Sequence, residues 1–179
     1  MQNTSLNIED LSFEEVDRLA DLGLLYDELL PIYKYVKNGM VGDLELWCSS
    51  LQKLPTWLLK VDGVLDIRSS KIIEIPEYLK ITKDIYADNS SLKNFSKSIV
   101  HGKLCLNLCH IIKMPNTLEV RGDLYIRYAE FEEFPEYLTV LGDLYMFSDE
   151  LNGLTESELR NKYQISGHIY ILNKRDHLI

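Results

Sequence analysis

The sequence predicts an α/β solenoid, in which one short coil of chain is repeated and stacked along an axis. Six of the nine glycines and four of the five prolines fall at the same two positions of a repeat that begins at Gly42. Successive repeats are spaced by 21, 20, 19, 20, 20 and 25 residues. Their first residues form the segments GDLEL (Gly42), GVLDI (Gly63), KDIYA (Lys83), GKLCL (Gly102), GDLYI (Gly122), GDLYM (Gly142) and GHIYI (Gly167).

Each repeat opens with a predicted strand, because two apolar residues two positions apart place both side chains on one face. Leu44 and Leu46 are the first such pair, and Leu124 and Ile126 are a later one. A proline after the last apolar position, as at Pro55, predicts an extended or irregular return leg. A small residue in the turn after the strand predicts an inward-facing site too narrow for a bulky side chain. This position holds Ser49, Ser70, Ser90, Cys109, Ala129 and Asp149.

Residues 1–40 have a different pattern and are predicted to form a short N-terminal helical cap on the solenoid of residues 41–179, which has about seven strands. Ser12 and Glu15 match a capping box that opens a helix ending near Gly23. A second helical stretch contains Pro31, which either kinks the helix or restarts it at a first-turn position. The end of a solenoid exposes an apolar flank, so such a cover has a structural purpose without any further function.

The repeat L-x-L-x-x-(S/C/A)-x-Φ-x-x-Φ-P-x-x-L, where Φ is apolar, resembles the leucine-rich repeat in its short bacterial form. The phrases LQKLPTWLLKV, KIIEIPEYLKI and FEEFPEYLTVLGDLYM are similar to the L-P-x-x-L units of secreted bacterial effectors and of short repeat proteins from bacteria and phages. The resemblance implies a right-handed coil with a parallel β-sheet on one face and a protein-binding role for that face. The usual asparagine is replaced throughout, and the third repeat lacks both glycine and proline.

The residue between each inward pair is predicted to face outward, which places one residue per coil in a row on the surface. This row is Glu45, Asp66, Tyr86, Cys105, Tyr125, Tyr145 and Tyr170. Tyrosine is enriched where proteins meet proteins, yet a ladder of tyrosines can also stabilise a sheet without any ligand. The predicted partner-binding residues are Trp47, Arg68, Tyr86, Asp88, Tyr125, Arg127, Tyr145, Phe147 and Tyr170.

Composition narrows the class of protein. The net charge of −9 argues against direct binding of nucleic acid, which depends on a basic surface. The N-terminus has neither a basic start nor an apolar stretch, and no apolar run is long enough for a membrane span, so no membrane partner is expected. Three cysteines cannot all pair within one chain. These features predict a cytoplasmic protein, and the resemblance places it in a bacterial cell or a phage-infected host.

No catalytic, metal-binding or cofactor motif emerges from the sequence. Cys105 is predicted on the outward face and Cys109 at the inward turn, so the two thiols do not converge on a metal. The chain has no glycine-rich phosphate loop, no H-E-x-x-H pair and no G-x-S-x-G elbow. We therefore expect no enzymatic activity and no cofactor.

The predicted function is a non-enzymatic protein–protein interaction module, with an inhibitor of a host enzyme or defence complex as the form that the resemblance suggests. The alternative is an acidic decoy that mimics nucleic acid and occupies a basic groove of a nucleic-acid-binding protein. Its carboxylates would be Asp43, Glu45, Asp66, Asp84, Asp88, Asp123 and Asp143. The strand around Ile169 and Ile171 is a further candidate surface, because an open edge strand can pair with a second copy to form a homodimer.

Overall fold

The protein is a parallel β-solenoid in the computed structural model, which describes residues 10–110, 112–149 and 153–172. The solenoid predicted from the repeat is thus confirmed. In chain order the described elements are α1 (Phe13–Asp21), α2 (Leu30–Lys37), β1 (Leu44–Glu45), β2 (Lys60–Val61), β3 (Leu65–Asp66), β4 (Glu74–Ile75), β5 (Lys80–Ile81), β6 (Ile85–Tyr86), β7 (Asn94–Phe95), β8 (Ile99–Val100), β9 (Leu104–Cys105), β10 (Ile112–Lys113), β11 (Thr117–Val120), β12 (Leu124–Tyr125), β13 (Phe131–Glu133), β14 (Tyr137–Val140), β15 (Leu144–Phe147), α3 (Glu156–Lys162), β16 (Gln164–Ile165) and β17 (Ile169–Leu172).

One sheet, which we call the front sheet, contains the strand that opens each repeat. Its order is β1-β3-β6-β9-β12-β15-β17, and every neighbouring pair is parallel. The first apolar residue of each strand is buried, from Leu44 at 2% exposed to Leu144 at 0%. The inward side of the front sheet therefore forms one wall of a continuous apolar core.

The return legs are extended, as the prolines predict, and they also pair in parallel. One sheet has the order β13-β10-β7-β4, a second has the order β16-β14-β11-β8, and β2 pairs with β5. The middle coils thus consist of three short strands joined by turns, for example β12, β13 and β14. Residues from all of these strands contribute to the core.

Glycine begins most repeats because the coils approach closely at this point. Gly142 donates its N–H to Gly122 O at 3.0 Å, and the Asp123 carboxylate accepts the N–H of Asp143 at 3.0 Å. A Cβ on Gly142 would collide with that carboxylate and with the backbone of Gly122. The Gly-Asp pair is therefore a stacking device in which glycine leaves room for the aspartate of the preceding coil.

The turn after the front strand also repeats. The small residue is buried, as predicted, at Ser70, Ser90, Cys109 and Ala129, whereas Asp149 is exposed and the prediction is wrong there. The hydroxyls of Ser70 and Ser90 accept backbone N–H groups at 3.4 Å, and Cys109 Sγ donates to Ala87 O at 3.0 Å. The residue before it has a left-handed backbone, with φ between 55° and 59°. This left-handed position holds Cys48, Ser69, Asn89, Leu108 and Tyr128.

The third repeat differs from the others, in agreement with its missing glycine and proline. Strands β5 and β8 belong to different sheets, and within the described chain no backbone hydrogen bond joins them. The Lys97 ammonium fills this break by donating to the carbonyls of Glu77 and Leu79. Burial lowers the pKa of Lys97.

Two helices precede the solenoid. The capping box of Ser12 and Glu15 is present at the start of α1. Pro31 lies in the first turn of α2, so it begins this helix and does not kink it. Tyr35 links α2 to the first coils, because its hydroxyl donates to Gly42 O at 3.1 Å and accepts the N–H of Asp62 at 2.8 Å. The function of residues 1–40 as a cap stays a prediction, and residues 1–9 lie outside the described ranges.

The long spacing before Gly167 accommodates α3, which the repeat analysis does not predict. Thr155 and Glu158 form a second capping box, and Leu159 anchors the helix in the core. In the described part of the chain, no helix combines the length and the apolar character needed to cross a membrane.

Candidate functional site

The outward residues of the front sheet form the candidate site, which we call the front face. Strand pairing aligns Glu45, Asp66, Tyr86, Cys105, Tyr125, Tyr145 and Tyr170 in one row. This is the row that the sequence predicts. The residues two positions before and after each of these also face outward, because side chains alternate along a strand.

Three tyrosines form a continuous stack at the C-terminal end of the row. The rings of Tyr125 and Tyr145 are 4.4 Å apart with an interplanar angle of 2°, and those of Tyr145 and Tyr170 are 4.7 Å apart at 8°. Tyr125 and Tyr145 are half-buried by their neighbours, whereas Tyr170 is 42% exposed. The stack presents a ridge of ring edges and hydroxyl groups to solvent.

Each of three tyrosine hydroxyls is oriented by the aspartate two residues before it. Tyr86 donates to Asp84 at 2.9 Å, Tyr125 to Asp123 at 3.3 Å, and Tyr145 to Asp143 at 3.2 Å. Burial and the bond to Asp84 raise the pKa of Tyr86 to about 12, and burial together with Tyr125 raises the pKa of Tyr145 to about 12. These phenols therefore stay neutral and donate hydrogen bonds at physiological pH.

Three cations lie over tyrosine rings of the row, each from the coil directly before the tyrosine that it covers. The Arg68 guanidinium is 5.6 Å from the centre of the Tyr86 ring, Lys103 Nζ is 5.9 Å from that of Tyr125, and the Arg127 guanidinium is 5.1 Å from that of Tyr145. Such contacts fix the direction of a long side chain and add modestly to stability.

Two of these cations are neutralised by carboxylates. Arg68 Nε donates to both oxygens of Asp66, at 3.0 and 3.1 Å. Burial alone would raise the pKa of Asp66, but the hydrogen bonds from the Arg68 side chain and backbone outweigh it and lower the pKa. Lys103 Nζ pairs with Asp123 Oδ2 at 3.0 Å, which raises the pKa of Lys103.

Most acidic residues of the front face also hold the coils together. Each of four aspartates accepts a backbone N–H of the next coil, at 2.7 to 3.0 Å. The pairs are Asp43 with Val64, Asp84 with Lys103, Asp123 with Asp143, and Asp143 with His168. Asp88 similarly accepts the backbone N–H and the side-chain amide of Asn107, at 3.0 and 2.6 Å. These carboxylates are therefore internal acceptors as well as surface charges.

The structure brings most of the predicted residues onto one surface, where they differ in accessibility. Phe147 is only 2% exposed, and its ring packs against Tyr128 at 4.2 Å, so little of this residue is accessible on the front face. Its role in partner binding stays a prediction. Strand β15 continues to Phe147, where the front strands of earlier coils give way to a turn, and the Tyr128 ring of the preceding coil packs against the Phe147 ring. Trp47 is 64% exposed at the opposite end, away from the stack.

Leu108 and Tyr128, which are not among the predicted site residues, lie in the turn at the edge of the front face. They are 45% and 39% exposed despite their apolar side chains. The available signal was the alignment of the repeats, because the same turn position holds polar Ser69 and Asn89 in earlier coils.

The cysteines behave as their repeat positions predict. Cys105 is 8% exposed between Tyr86 and Tyr125 in the row, and burial raises its pKa to about 12. Cys109 is fully buried on the other side of the chain. Across residues 10–110, 112–149 and 153–172, no group of three or more His, Cys, Asp and Glu side chains could hold a metal ion.

Comparisons of the chain with protein-family models, with curated proteins and with solved structures found no significant match.

Proposed function

We propose that the protein is a non-enzymatic interaction module that binds a protein partner on its front face. The observation that carries the proposal is the exposed stack of Tyr125, Tyr145 and Tyr170. Stacking holds all three rings, and Asp123 and Asp143 hold the hydroxyls of Tyr125 and Tyr145, so little conformational freedom would be lost when a partner binds. Rigid aromatic side chains with polar tips are frequent energetic centres of protein interfaces.

The resemblance to short bacterial leucine-rich repeats supports the same proposal, because it implies that the strand-lined face binds protein. Inhibition of a host enzyme or defence complex by a cytoplasmic bacterial or phage protein is the form that this resemblance favours. Pairing of β17 with a second copy stays a separate proposal, based on its place as the last strand of the front sheet.

The acidic decoy has less support from the geometry. A decoy needs carboxylates that are free to meet a basic groove, whereas Asp66 and Asp123 pair with Arg68 and Lys103, and the other front-face aspartates accept hydrogen bonds within the chain. The proposal of an aromatic interface predicts a modest dependence of binding on salt, and the decoy predicts a steep one.

The proposal is tested by capture of partners from a lysate of the source organism. We expect the double variant Tyr125→Ala/Tyr145→Ala to lose partners that the wild-type protein retains, while its circular dichroism spectrum is preserved. Tyr137→Ala is the matched control, because Tyr137 is a 60% exposed strand tyrosine on a different sheet. Retention of the same partners by the double variant would contradict the proposal.

A further inference from the structure

Leu108, Arg127 and Tyr128 form a continuous patch at one side of the tyrosine stack, which we call the Arg127 edge. Leu108 N donates to Arg127 O at 2.9 Å, so the turns of two neighbouring coils are bonded to each other. Tyr128 follows Arg127 directly, and the Arg127 side chain extends over the Tyr145 ring. The patch therefore joins an apolar surface to a cation.

The backbone at Leu108 and Tyr128 is unfavourable for these residue types. Both have left-handed backbones, with φ of 59° and 58°, which glycine and asparagine tolerate and other residues rarely adopt. Asn89 occupies the same turn position, three residues after β6, and suits it better. Leu108 is 45% exposed, so its burial offsets little of this strain, and Tyr128 stays 39% exposed although its ring packs against Phe147. Strained backbones that display apolar side chains are a feature of binding sites.

The charge of Arg127 is also less compensated than that of its counterparts. Arg68 and Lys103 each pair with an aspartate, but within the described ranges no carboxylate pairs with Arg127. Its buried Nε–H likewise has no acceptor there. The Asn107 side chain accepts the Arg127 backbone N–H at 2.8 Å and so helps to fix the residue, while the Tyr145 ring fixes its guanidinium. An oriented guanidinium of this kind is well suited to receive a carboxylate.

We propose that the Arg127 edge binds an acidic segment of the protein partner, in which an aspartate or glutamate lies beside an apolar side chain. The carboxylate would pair with the outer nitrogens of Arg127, and the apolar side chain would pack on Leu108 and Tyr128. This inference rests on the proposed function of the front face and specifies the chemistry of the segment that it recognises.

The test is selection of binders from a random peptide library displayed on phage, with the purified wild-type protein as the bait. We expect enriched peptides to contain aspartate or glutamate next to an apolar residue. Synthetic copies should bind at least about tenfold more weakly to Arg127→Gln, as for a residue at an interface centre. Arg121→Gln is the matched control, because Arg121 is an arginine outside the front face that pairs with Glu119 at 2.8 Å.

Leu108→Asn separates a binding role from a structural one. Asparagine tolerates the left-handed backbone, so we expect this variant to melt at or above the wild-type temperature and yet to bind the selected peptides more weakly. A purely structural Leu108 would instead lose stability and binding together.

The other outcomes overturn one or both proposals. Peptides that depend on Tyr125 and Tyr145 but bind Arg127→Gln as well as wild type, or that carry no carboxylate, would overturn the acidic-segment inference and leave the proposed function in place. Peptides unaffected by both sets of changes, or the absence of any enriched sequence, would overturn both.

Discussion

The two ends of the front face share one backbone arrangement and differ in chemistry. At the N-terminal end, the central row begins with Glu45 and with Asp66, which is buried beneath its pair with Arg68. At the C-terminal end, the same row positions hold Tyr125, Tyr145 and Tyr170 in a stack. At the N-terminal end the polar groups of Asp66 and Arg68 bond each other, whereas the C-terminal end presents an aromatic ridge to solvent.

This difference separates what stacks the coils from what recognises a partner. Strand register, glycine positions and inward apolar residues are common to both ends, so they determine where each outward side chain lies. The identity of that side chain then determines whether the surface is internally satisfied or available for binding. Substitutions that alter the shared backbone should therefore have similar effects at both ends, whereas substitutions of outward side chains should have different effects.

The largest effect is expected when the shared backbone is changed. A Cβ at Gly63 would collide with Asp43 and Gly42, and a Cβ at Gly142 would collide with Asp123 and Gly122. We expect Gly63→Ala and Gly142→Ala each to lower the free energy of unfolding by about 2–3 kcal/mol, as for an overpacked site. Urea denaturation measures this loss. Exposed Ser91→Ala is the control, and a clear difference between the two glycine variants would show that the ends stack differently.

The fold was largely predictable because each coil repeats the same physical constraints. The spacing of Leu124 and Ile126 fixes the strand face, and a constant period fixes the parallel register that aligns Tyr125 with Tyr145. The capping box at Ser12 predicted the start of α1 for an equally local reason. These features depend on neighbours in sequence or on the repeat itself.

The remaining features depend on tertiary contacts that the pattern does not encode. The left-handed turn at Leu108 contradicts the local preference of leucine, so residue type could not indicate it. The burial of Phe147 involves the ring of Tyr128 from the preceding coil, a contact that the repeat pattern does not indicate. The break between β5 and β8 was signalled only by the missing glycine and proline, and the position of the Lys97 ammonium across it depends on the tertiary fold.

An intermediate effect is expected for the buried ion pair at the N-terminal end. The pKa of Asp66 is lower in the folded chain than its ordinary value of about 3.9, so the charged carboxylate stabilises the fold above that pH. This stabilisation is lost as the pH falls through the lower, folded pKa. We expect Asp66→Asn to cost about 1–3 kcal/mol at neutral pH, as for a hydrogen-bonded buried charge.

The pH dependence provides the accompanying measurement. Urea denaturation gives the free energy of unfolding at neutral pH and at about pH 3, which is below the ordinary carboxyl pKa. Between these two pH values, the free energy of unfolding should fall less for Asp66→Asn than for the wild-type protein. Asp84→Asn is a comparison within the same face. An Asp66→Asn variant that loses as much stability on acidification as the wild type would show that the Asp66–Arg68 pair contributes little.

The smallest expected effect is the coupling free energy between tyrosines of the stack, compared with that of Tyr86, which lies in the same row outside the stack. A double-mutant cycle of Tyr125→Leu and Tyr145→Leu should give a coupling free energy of about 0.5–1.5 kcal/mol, because the rings are in direct contact. The cycle of Tyr86→Leu and Tyr125→Leu should give less than about 0.5 kcal/mol, because Cys105 separates these residues by two strand positions. Equal coupling free energies in the two cycles would mean that the tyrosines are coupled through the sheet backbone. Ring contact would then not distinguish the tyrosine stack from the rest of the row.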